Sequence, residues 1–349
     1  MYDFLSNLKN KNINSTIDDK FALIVHSTNN IGDDIQSIAA LQFLPRVDYF
    51  VDRDFIGLYK IPQRVKIIMN GWFLHKFENW PPAKNLYPLF ISFHISQKSV
   101  DKIVKSRSSV KFLKKFSPIG CRDMHTKSLL DKIDVPAYFS GCLTLTLGYK
   151  MKGNIQRSNE VLIVDLDEGA IPYIPEEILK KSKFRTNTIF LDSSRSRFIE
   201  TLKLIIKKSP KIKSWLKDVN LEIKSVRSKI LRLFSPLKPL ENLDEHRFKR
   251  FELANERLNE IANAQLVITS RLHVALPALA FGTPVIFVHK NIQDPRFSGF
   301  LKFLNHYDLE TFSKVSKKIP WDNVVNPNKD ELNLLREKLI KTCEEFINK

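Results

Sequence analysis

Short apolar runs alternate with amphipathic stretches along this chain, and that alternation constrains its fold more than any other feature. Phe21–His26, Thr188–Leu191 and Leu266–Thr269 have the length and composition of buried strands, and Asp244–Asn263 has the length of a long helix. Alternating strands and helices are typical of α/β folds with mostly parallel sheets. The sequence therefore predicts an α/β fold.

One polar stretch, Lys150–Glu160, interrupts the alternation, which restarts with Val161–Asp165. The 349 residues also exceed the length of one ordinary domain. We therefore expect two Rossmann-like domains, over residues 1–150 and 151–327, that face each other across a cleft. A C-terminal helix within 328–349 is expected to pack back on the first domain.

The chain termini and the cysteines indicate a cellular compartment. Met1–Lys20 is polar and resembles no signal peptide, and no window reaches the length of a membrane span. Cys121, Cys142 and Cys343 are scattered and form no CxxC pair, which favours a reducing cytoplasm. No motif of a protein-built metal site occurs, so we expect no metal and no cofactor.

Positive charge predominates and is concentrated in one segment. The chain has 56 Lys and Arg against 38 Asp and Glu, a net charge of +18. Of these, 16 Lys and Arg and 4 Asp and Glu lie in Lys181–Leu240, among apolar residues at helical spacing. This pattern fits a solvated helical face, or an amphipathic surface for an anionic membrane. No nucleic-acid-binding motif accompanies the charge, so we predict no nucleic-acid partner.

The loop after the first predicted strand is polar and poor in glycine. It fits neither a GxGxxG nor a GxxxxGK[ST] phosphate loop. Its last two residues are Asp33 and Asp34, and either carboxylate can cap the following helix. The other carboxylate would then be available to orient a substrate hydroxyl or to accept its proton.

Two turns carry an arginine where a predicted strand ends and a helix begins. In the turn TSRLH, Ser270 is a plausible helix cap, Arg271 offers a bidentate fork for phosphate or carboxylate, and His273 can act as an acid or bind an anion. The turn GCRD places Arg122 similarly in the first half. Together they could bind one doubly anionic small molecule; the alternative is a surface arginine and a buried structural histidine.

Three segments, in order along the chain, resemble the polysaccharide pyruvyl transferase family. They are Asn30–Leu44 (NIGDDIQSIAALQFL), the turn with Arg122-Asp123-x-x-Thr126-x-x-Leu129-Leu130, and Ser270–Val288 (SRLHVALPALAFGTPVIFV). Members of that family look like two-domain enzymes of the GT-B type. They transfer pyruvate from phosphoenolpyruvate to two hydroxyls of a sugar in a polysaccharide or its precursor, and so form a cyclic ketal.

The resemblance implies roles for the residues that match. Arg122, Arg271 and His273 would bind phosphoenolpyruvate, whose phosphate and carboxylate fit the doubly anionic ligand inferred above, and we add Ser270 to this donor site. His273 is our predicted general acid because its ordinary pKa lies near neutrality. Asp33 or Asp34 is our predicted base.

On the acceptor side the chain departs from the family pattern. Many members have a glycine-rich turn after the third strand, where this chain has Asn70-Gly71-Trp72, and the loop that begins at His94 is also not glycine-rich. The predicted acceptor-binding residues are Asp33, Asp34, Asn70, Trp72 and His94. The acceptor would be a cell-surface glycan or its precursor, free or lipid-linked.

Two other functions remain open at this stage. A GT-B glycosyltransferase would also use an arginine at a helix start, to bind the diphosphate of a nucleotide-sugar. A non-catalytic basic adaptor for membranes or nucleic acid would need only the charged segment. For the pyruvyl transferase we expect a cytoplasmic enzyme, either free or on the inner face of the cytoplasmic membrane.

Overall fold

The computed structural model describes residues 5, 8, 19–150, 155–189 and 237–349. These residues form two sheets, of six and five strands, and every paired strand is parallel to its neighbours. The predicted α/β class with parallel sheets is therefore confirmed. The separation of two domains by a cleft remains a prediction.

The first sheet is built from the N-terminal part of the chain. Its strands are β1 (Lys20–Val25), β2 (Tyr49–Asp52), β3 (Val65–Phe73), β4 (Leu86–Ile95), β5 (Ile119–Cys121) and β6 (Ala137–Phe139). Its helices are α1 (Ile31–Leu41), α2 (Val100–Lys105), α3 (Arg107–Lys115) and α4 (Met124–Asp131). The strand order is β2-β1-β3-β4-β5-β6, so the connections diverge between β1 and β3. Ligands of open α/β sheets bind at the carboxyl ends of the strands beside such a point.

The second sheet repeats the same topology. Its strands are β7 (Val161–Val164), β8 (Ser182–Arg185), β9 (Leu266–Thr269), β10 (Val285–Val288) and β11 (Asn305–Tyr307). The helices are α5 (Glu176–Lys180), α6 (Glu245–Asn263), α7 (Leu272–Ala280), α8 (Leu309–Val315) and α9 (Lys329–Asn348). The order β11-β10-β9-β7-β8 places the corresponding divergence between β7 and β9.

The second strand of this sheet lies earlier than predicted. The expected strand Thr188–Leu191 is wrong in position, because β8 is Ser182–Arg185 and Thr188 forms only an isolated bridge with Asn30. Residues 190 and 191 lie outside the described residues. β8 was missed because it is the partly exposed edge strand of the sheet and carries a lysine and an arginine, so it has no apolar run.

One hydrophobic core is shared by the two sheets. It includes Leu23 and Val25 of β1 as well as Leu162 and Val164 of β7, all at most 2% exposed. Helices α1, α6 and α7 contribute to the same core. Two smaller clusters cover the opposite faces of the sheets. Residues of both sheets therefore belong to one packed core.

The C-terminal helix α9 packs against the first sheet. The ammonium group of Lys66 in β3 donates to the carbonyl of Ile347 at 3.1 Å. The ring of Tyr87 in β4 stacks on that of Phe346, with 6.2 Å between the ring centroids. Leu339 and Cys343 of the same helix are buried in the shared core. The end of the chain therefore returns to the sheet with which it begins.

Gly299, in the second half of the chain, lies against Phe139 of the first half. Gly299 has φ +94°, and a Cβ there would lie 2.6 Å from Cζ of Phe139 in β6. Gly282 has φ +65°, but its nearest neighbour would be 3.8 Å away. Since left-handed backbone costs about 1–2 kcal/mol and overpacking adds about 1–3 kcal/mol, we expect Gly299→Ala to destabilise the fold by about 2–5 kcal/mol and Gly282→Ala by about 1–2 kcal/mol.

Urea unfolding of the two variants measures this difference. Equal losses of free energy would contradict the close approach of Phe139 to residue 299.

Within the described ranges no helix is long and apolar enough to cross a bilayer. The predicted membrane-binding surface in Lys181–Leu240 falls mostly at 190–236, outside the described residues. Its role stays a prediction.

Candidate functional site

The loop after β1 of the first sheet is hydrogen-bonded to the loop after β8 of the second sheet. The N–H of Ile31 donates to the carbonyl of Asn187 at 2.9 Å, and that of Ile189 donates to Asn29 at 2.7 Å. The loops that follow β1 and β8 therefore lie side by side. Both stand at carboxyl ends of parallel strands, where α/β proteins bind their ligands.

Helix α1 is capped by Asn30, whose side chain accepts from the N–H of Gly32 at 2.9 Å. The prediction that Asp33 or Asp34 caps the helix was wrong. The helix begins at Ile31, which places both carboxylates inside its first turn. Both are therefore available for other contacts.

Asp33 is a buried carboxylate surrounded by groups that favour its charge. Thr28 donates its hydroxyl to it at 2.7 Å, and the guanidinium of Arg53 lies 3.5 Å away. Burial alone would raise the pKa of Asp33, but the charge of Arg53 and the hydrogen bond from the Thr28 hydroxyl hold it well below its usual range. Asp33 is therefore ionised at neutral pH.

Asp34 is bonded across the two halves instead. Its carboxylate lies 2.6 Å from Nη2 of Arg250 on α6, and the two residues are 1% and 2% exposed. Arg250 also donates to the carbonyls of Thr28 and Asn30. The pair fixes the loop after β1 against α6.

Arg122 directly follows β5 and is only 3% exposed. The backbone N–H of Arg122 donates to the carbonyl of Phe93 at 2.9 Å. The Asp123 carboxylate caps α4 by accepting from the backbone N–H of Thr126, also at 2.9 Å. The Nε of Arg122 lies 3.6 Å from Asp123 and makes no hydrogen bond within the described part of the chain. A buried cation with an unused donor can bind an anion.

The turn after β9 differs from its prediction. Arg271, not Ser270, is the N-cap of α7, and it caps without its side chain. The Ser270 hydroxyl is occupied elsewhere: it accepts from the N–H of Asp167 at 2.8 Å and donates to the carbonyl of Val288 at 2.5 Å. The half-exposed Arg271 donates from Nε to Asp165 at 3.0 Å.

His273, in the second half of the chain, lies against the start of α1 in the first half. A Cβ on Gly32 would lie 3.3 Å from the Cβ of His273, and the His273 Nε2 is buried without a hydrogen-bond partner among the described residues. Burial and the charge of Arg122 lower the pKa of His273 to about 3, although Asp33 opposes the shift. The predicted acid role assumed an ordinary pKa, whereas in this structure the side chain is neutral at pH 7.

Asn70, Trp72 and His94, the predicted acceptor residues outside α1, differ in the contacts that their side chains already make. Asn70 donates to the carbonyl of Gln36 at 2.8 Å and so serves the fold. The half-buried ring of Trp72 packs edge-on against the His94 ring, with 6.2 Å between the ring centroids. His94 is buried and bonded through Nδ1 to Asp123 at 2.6 Å.

The predicted site residues thus divide into two groups. The charge of Arg122 lowers the pKa of His273 and that of Asp33 raises it, while His94, itself neutral at pH 7, is coupled to His273, so these four form one electrostatic cluster. Arg271 is held by a carboxylate outside that cluster. That Arg271 contacts a ligand bound at this cluster remains a prediction.

Four functional candidates were missed by the sequence analysis. They are His26, Arg53, Asp165 and Arg296. His26 is buried beside Asp33 with both ring nitrogens unbonded among the described residues, and the charge of Arg296 acts on His273. His26 and Asp165 carried a signal, each as the polar residue that ends an apolar strand.

We expect the fold to lose stability in acid. Burial is the main reason that the pKa values of His26 and His273 fall to about 3 and that of His94 to about 4. The unfolded chain binds protons at these histidines below about pH 6.5, while the folded chain does not. Each histidine should therefore lower the free energy of unfolding by about 1.4 kcal/mol per pH unit between about pH 6.5 and 4. Asp34 has the opposite effect over this range, because burial raises its pKa to about 7, and it should offset about one of the three histidines.

Urea unfolding across this pH range measures the slope. His26→Gln should lessen it, whereas His306→Gln, a change at an exposed edge strand, should not. Constant stability throughout the range would contradict the neutral state of the buried imidazoles.

No group of three or more potential metal ligands occurs among the residues that the structure describes.

Comparisons with known proteins add an independent observation. The sequence model of the polysaccharide pyruvyl transferase family matches residues 30–288 of this chain. A search of curated proteins finds no match.

Among solved structures, a protein of uncharacterized function from Klebsiella pneumoniae subsp. pneumoniae NTUH-K2044 is 11% identical, with 83% of this chain and 92% of that chain covered and a TM-score of 0.43. A family 9 glycosyl transferase from Veillonella parvula DSM 2008 is 8% identical, with 92% and 97% covered and a TM-score of 0.24. Both similarities are too weak to carry an argument.

Proposed function

The chain belongs to the polysaccharide pyruvyl transferase family, and from this premise we propose that it transfers pyruvate from phosphoenolpyruvate to two hydroxyls of one sugar. The product is a cyclic ketal on a glycan destined for the cell surface. The site lies where the carboxyl ends of the two sheets meet, between residues 1–150 and 151–327.

One observation carries this proposal. Arg122 follows β5 of the first sheet and His273 follows β9 of the second. Arg122 is buried and His273 is half-buried, and each has a buried ring or guanidinium nitrogen without a hydrogen bond among the described residues. The carboxylate of Asp123 lies 3.6 Å from the Arg122 Nε, too far for a hydrogen bond, so this buried donor is best satisfied by a further anion. Phosphoenolpyruvate supplies two anionic groups, a phosphate and a carboxylate.

Arg271 is the second arginine of the proposed donor site. It stands at the start of α7, where the helix dipole adds positive potential, and Asp165 holds its guanidinium through Nε alone. The remaining N–H groups would contact the phosphate and stabilise its departure. Ser270 contributes by fixing the turn between the loops after β7 and β10.

The chemistry needs an acid for the donor and a base for the acceptor. A proton added to the methylene carbon of phosphoenolpyruvate makes C2 electrophilic. One sugar hydroxyl then bonds to C2, phosphate leaves, and the second hydroxyl closes the ketal. Of the two hydroxyl protons, one replaces the proton given to the methylene carbon and the other leaves with phosphate or solvent.

His273 is the proposed acid. It is neutral in the free protein, but a dianionic donor would offset the charge of Arg122 and raise the pKa of His273. The imidazole could then carry a proton from the donor phosphate to the methylene carbon.

Asp33 rather than Asp34 is the proposed base for one hydroxyl. Asp33 is ionised and lies in the cluster that surrounds His273. Asp34 is committed to Arg250.

We propose that the enzyme works in the cytoplasm, without a cofactor, on a free or lipid-linked glycan. Contact with the inner membrane face would be made through the basic segment of residues 181–240.

The test is incubation with phosphoenolpyruvate and a panel of methyl hexopyranosides and free and lipid-linked glycans. We expect phosphate release, and on one acceptor the mass gain of a pyruvate ketal. Phosphoenolpyruvate should also raise the melting temperature, whereas nucleotide-sugars should not. Absence of both binding and transfer would refute the proposal.

A further inference from the structure

The ketal reaction must remove two hydroxyl protons, one for each bond made to C2. The function proposed above, on which this inference rests, assigns a base to one of them. The second hydroxyl lies on another carbon of the same sugar and approaches C2 from a different direction. A second proton acceptor in the same site would serve it.

His94 and Asp123 form a buried pair at the same end of the first sheet. His94 is the penultimate residue of β4 and Asp123 follows β5, and these strands pair through Phe93 and Cys121. The carboxyl ends of the two strands are therefore neighbours. His94 Nδ1 is 2.6 Å from Asp123 Oδ2, and the two residues are 3% and 0% exposed.

The carboxylate of Asp123 is held from several sides. Its Oδ1 accepts from the N–H and the hydroxyl of Thr126, both at 2.9 Å. Burial would raise the pKa of Asp123, but the hydrogen bond from His94 and the charge of Arg122 keep it below its usual value. An ionised carboxylate can only accept, so His94 must donate from Nδ1.

This contact determines the chemistry of the other ring nitrogen. With the proton on Nδ1, Nε2 carries the free lone pair and is the basic atom. The charged or titratable groups that act on His94 are Asp123, Arg122 and Arg296, with His273 coupled to it. Burial and the arginines keep the ring neutral, and therefore able to accept a proton, at pH 7. The same carboxylate–imidazole arrangement activates hydroxyl nucleophiles in unrelated enzymes.

We propose that His94 is a second catalytic base, which takes the proton of one acceptor hydroxyl through Nε2, with Asp123 as its positioning residue. Trp72, whose ring lies edge-on to His94, would border the sugar on this side. The hydroxyl oxygen bonds to C2 as its proton moves to Nε2, and the proton then passes to the departing phosphate or to solvent.

The alternative is that His94 and Asp123 are only a satisfied polar pair in the core. His94→Asn separates the two roles, because the Asn amide can still donate to Asp123 but has no basic nitrogen. We expect this variant to keep the melting-temperature shift with phosphoenolpyruvate and to lose about two to four decades of kcat. His306→Gln is the control, at an exposed edge strand, and should leave kcat unchanged.

Asp123→Asn tests the positioning role. Asn can still cap α4, but its amide no longer requires the proton on Nδ1. In the wild type, ¹⁵N NMR should show His94 protonated at Nδ1 and not at Nε2 between about pH 6 and 8, and Asp123→Asn should shift protons towards Nε2 and lower kcat.

The outcomes separate the two proposals. An active wild type with His94→Asn within about threefold of its kcat overturns the base role of His94 alone. A wild-type His94 protonated at Nε2 also overturns it. A wild type that neither binds phosphoenolpyruvate nor transfers pyruvate overturns the proposed function, and the base assignment with it.

Discussion

A His273→Ala variant is expected to lose about two to four decades of kcat, the usual effect of removing a general acid. The side chain lies where the two sheets meet, against Gly32, and its Nε2 has no hydrogen-bond partner among the described residues. The replacement breaks no hydrogen bond at Nε2, so any loss of stability should come only from lost packing contacts. The loss of turnover should therefore be measured on variant protein shown to be folded.

Phosphate release with phosphoenolpyruvate and the accepting glycan measures this effect. His306→Ala provides the control, since that residue lies on the edge strand β11. Donor binding should survive in His273→Ala, because Arg122 and Arg271 remain, and a melting-temperature shift with phosphoenolpyruvate would show it. Turnover near that of the wild type would remove His273 from the mechanism.

The second large effect is expected at Arg250. Replacement of Arg250 by alanine removes the partner of Asp34 in a pair that is almost fully buried. It also removes the donors to the carbonyls of Thr28 and Asn30. Breaking a buried ion pair from one side typically costs about 3–5 kcal/mol, because the remaining charge is left without compensation.

Chemical denaturation should show that loss for Arg250→Ala, and less than about 0.5 kcal/mol for the exposed neighbour Lys249→Ala. A double variant, Asp34→Leu with Arg250→Met, removes both charges and should recover most of the stability. A loss below about 1 kcal/mol in Arg250→Ala would contradict the role of this pair as an anchor between the halves.

The fold class was predictable because it depends on a local pattern. Buried strands such as β1 and β9 need continuous apolar runs, and these are visible in the sequence. β8 was not predictable in the same way, since a partly exposed edge strand tolerates charged side chains. Helix caps depend on where a helix begins to within one residue, which is why Asn30 and Arg271 were missed as caps.

The sequence by itself determined which chemical groups stand at the strand ends or at the helix starts that follow them: the carboxylates of Asp33 and Asp34, the guanidinium groups of Arg122 and Arg271, and the imidazole of His273. Strand ends are marked by local changes from apolar to polar residues, so no tertiary contact is needed to find them. Their resemblance to a known family also follows from order along the chain.

Only the tertiary structure decided what each of these groups is free to do. Asp33 and Asp34 are adjacent in sequence, yet one meets Arg53 and the other Arg250, from opposite halves of the molecule. His94 becomes a candidate base because Asp123, 29 residues away, reaches its Nδ1. Burial and partners determine charge and proton position, and both depend on residues that the fold alone brings together.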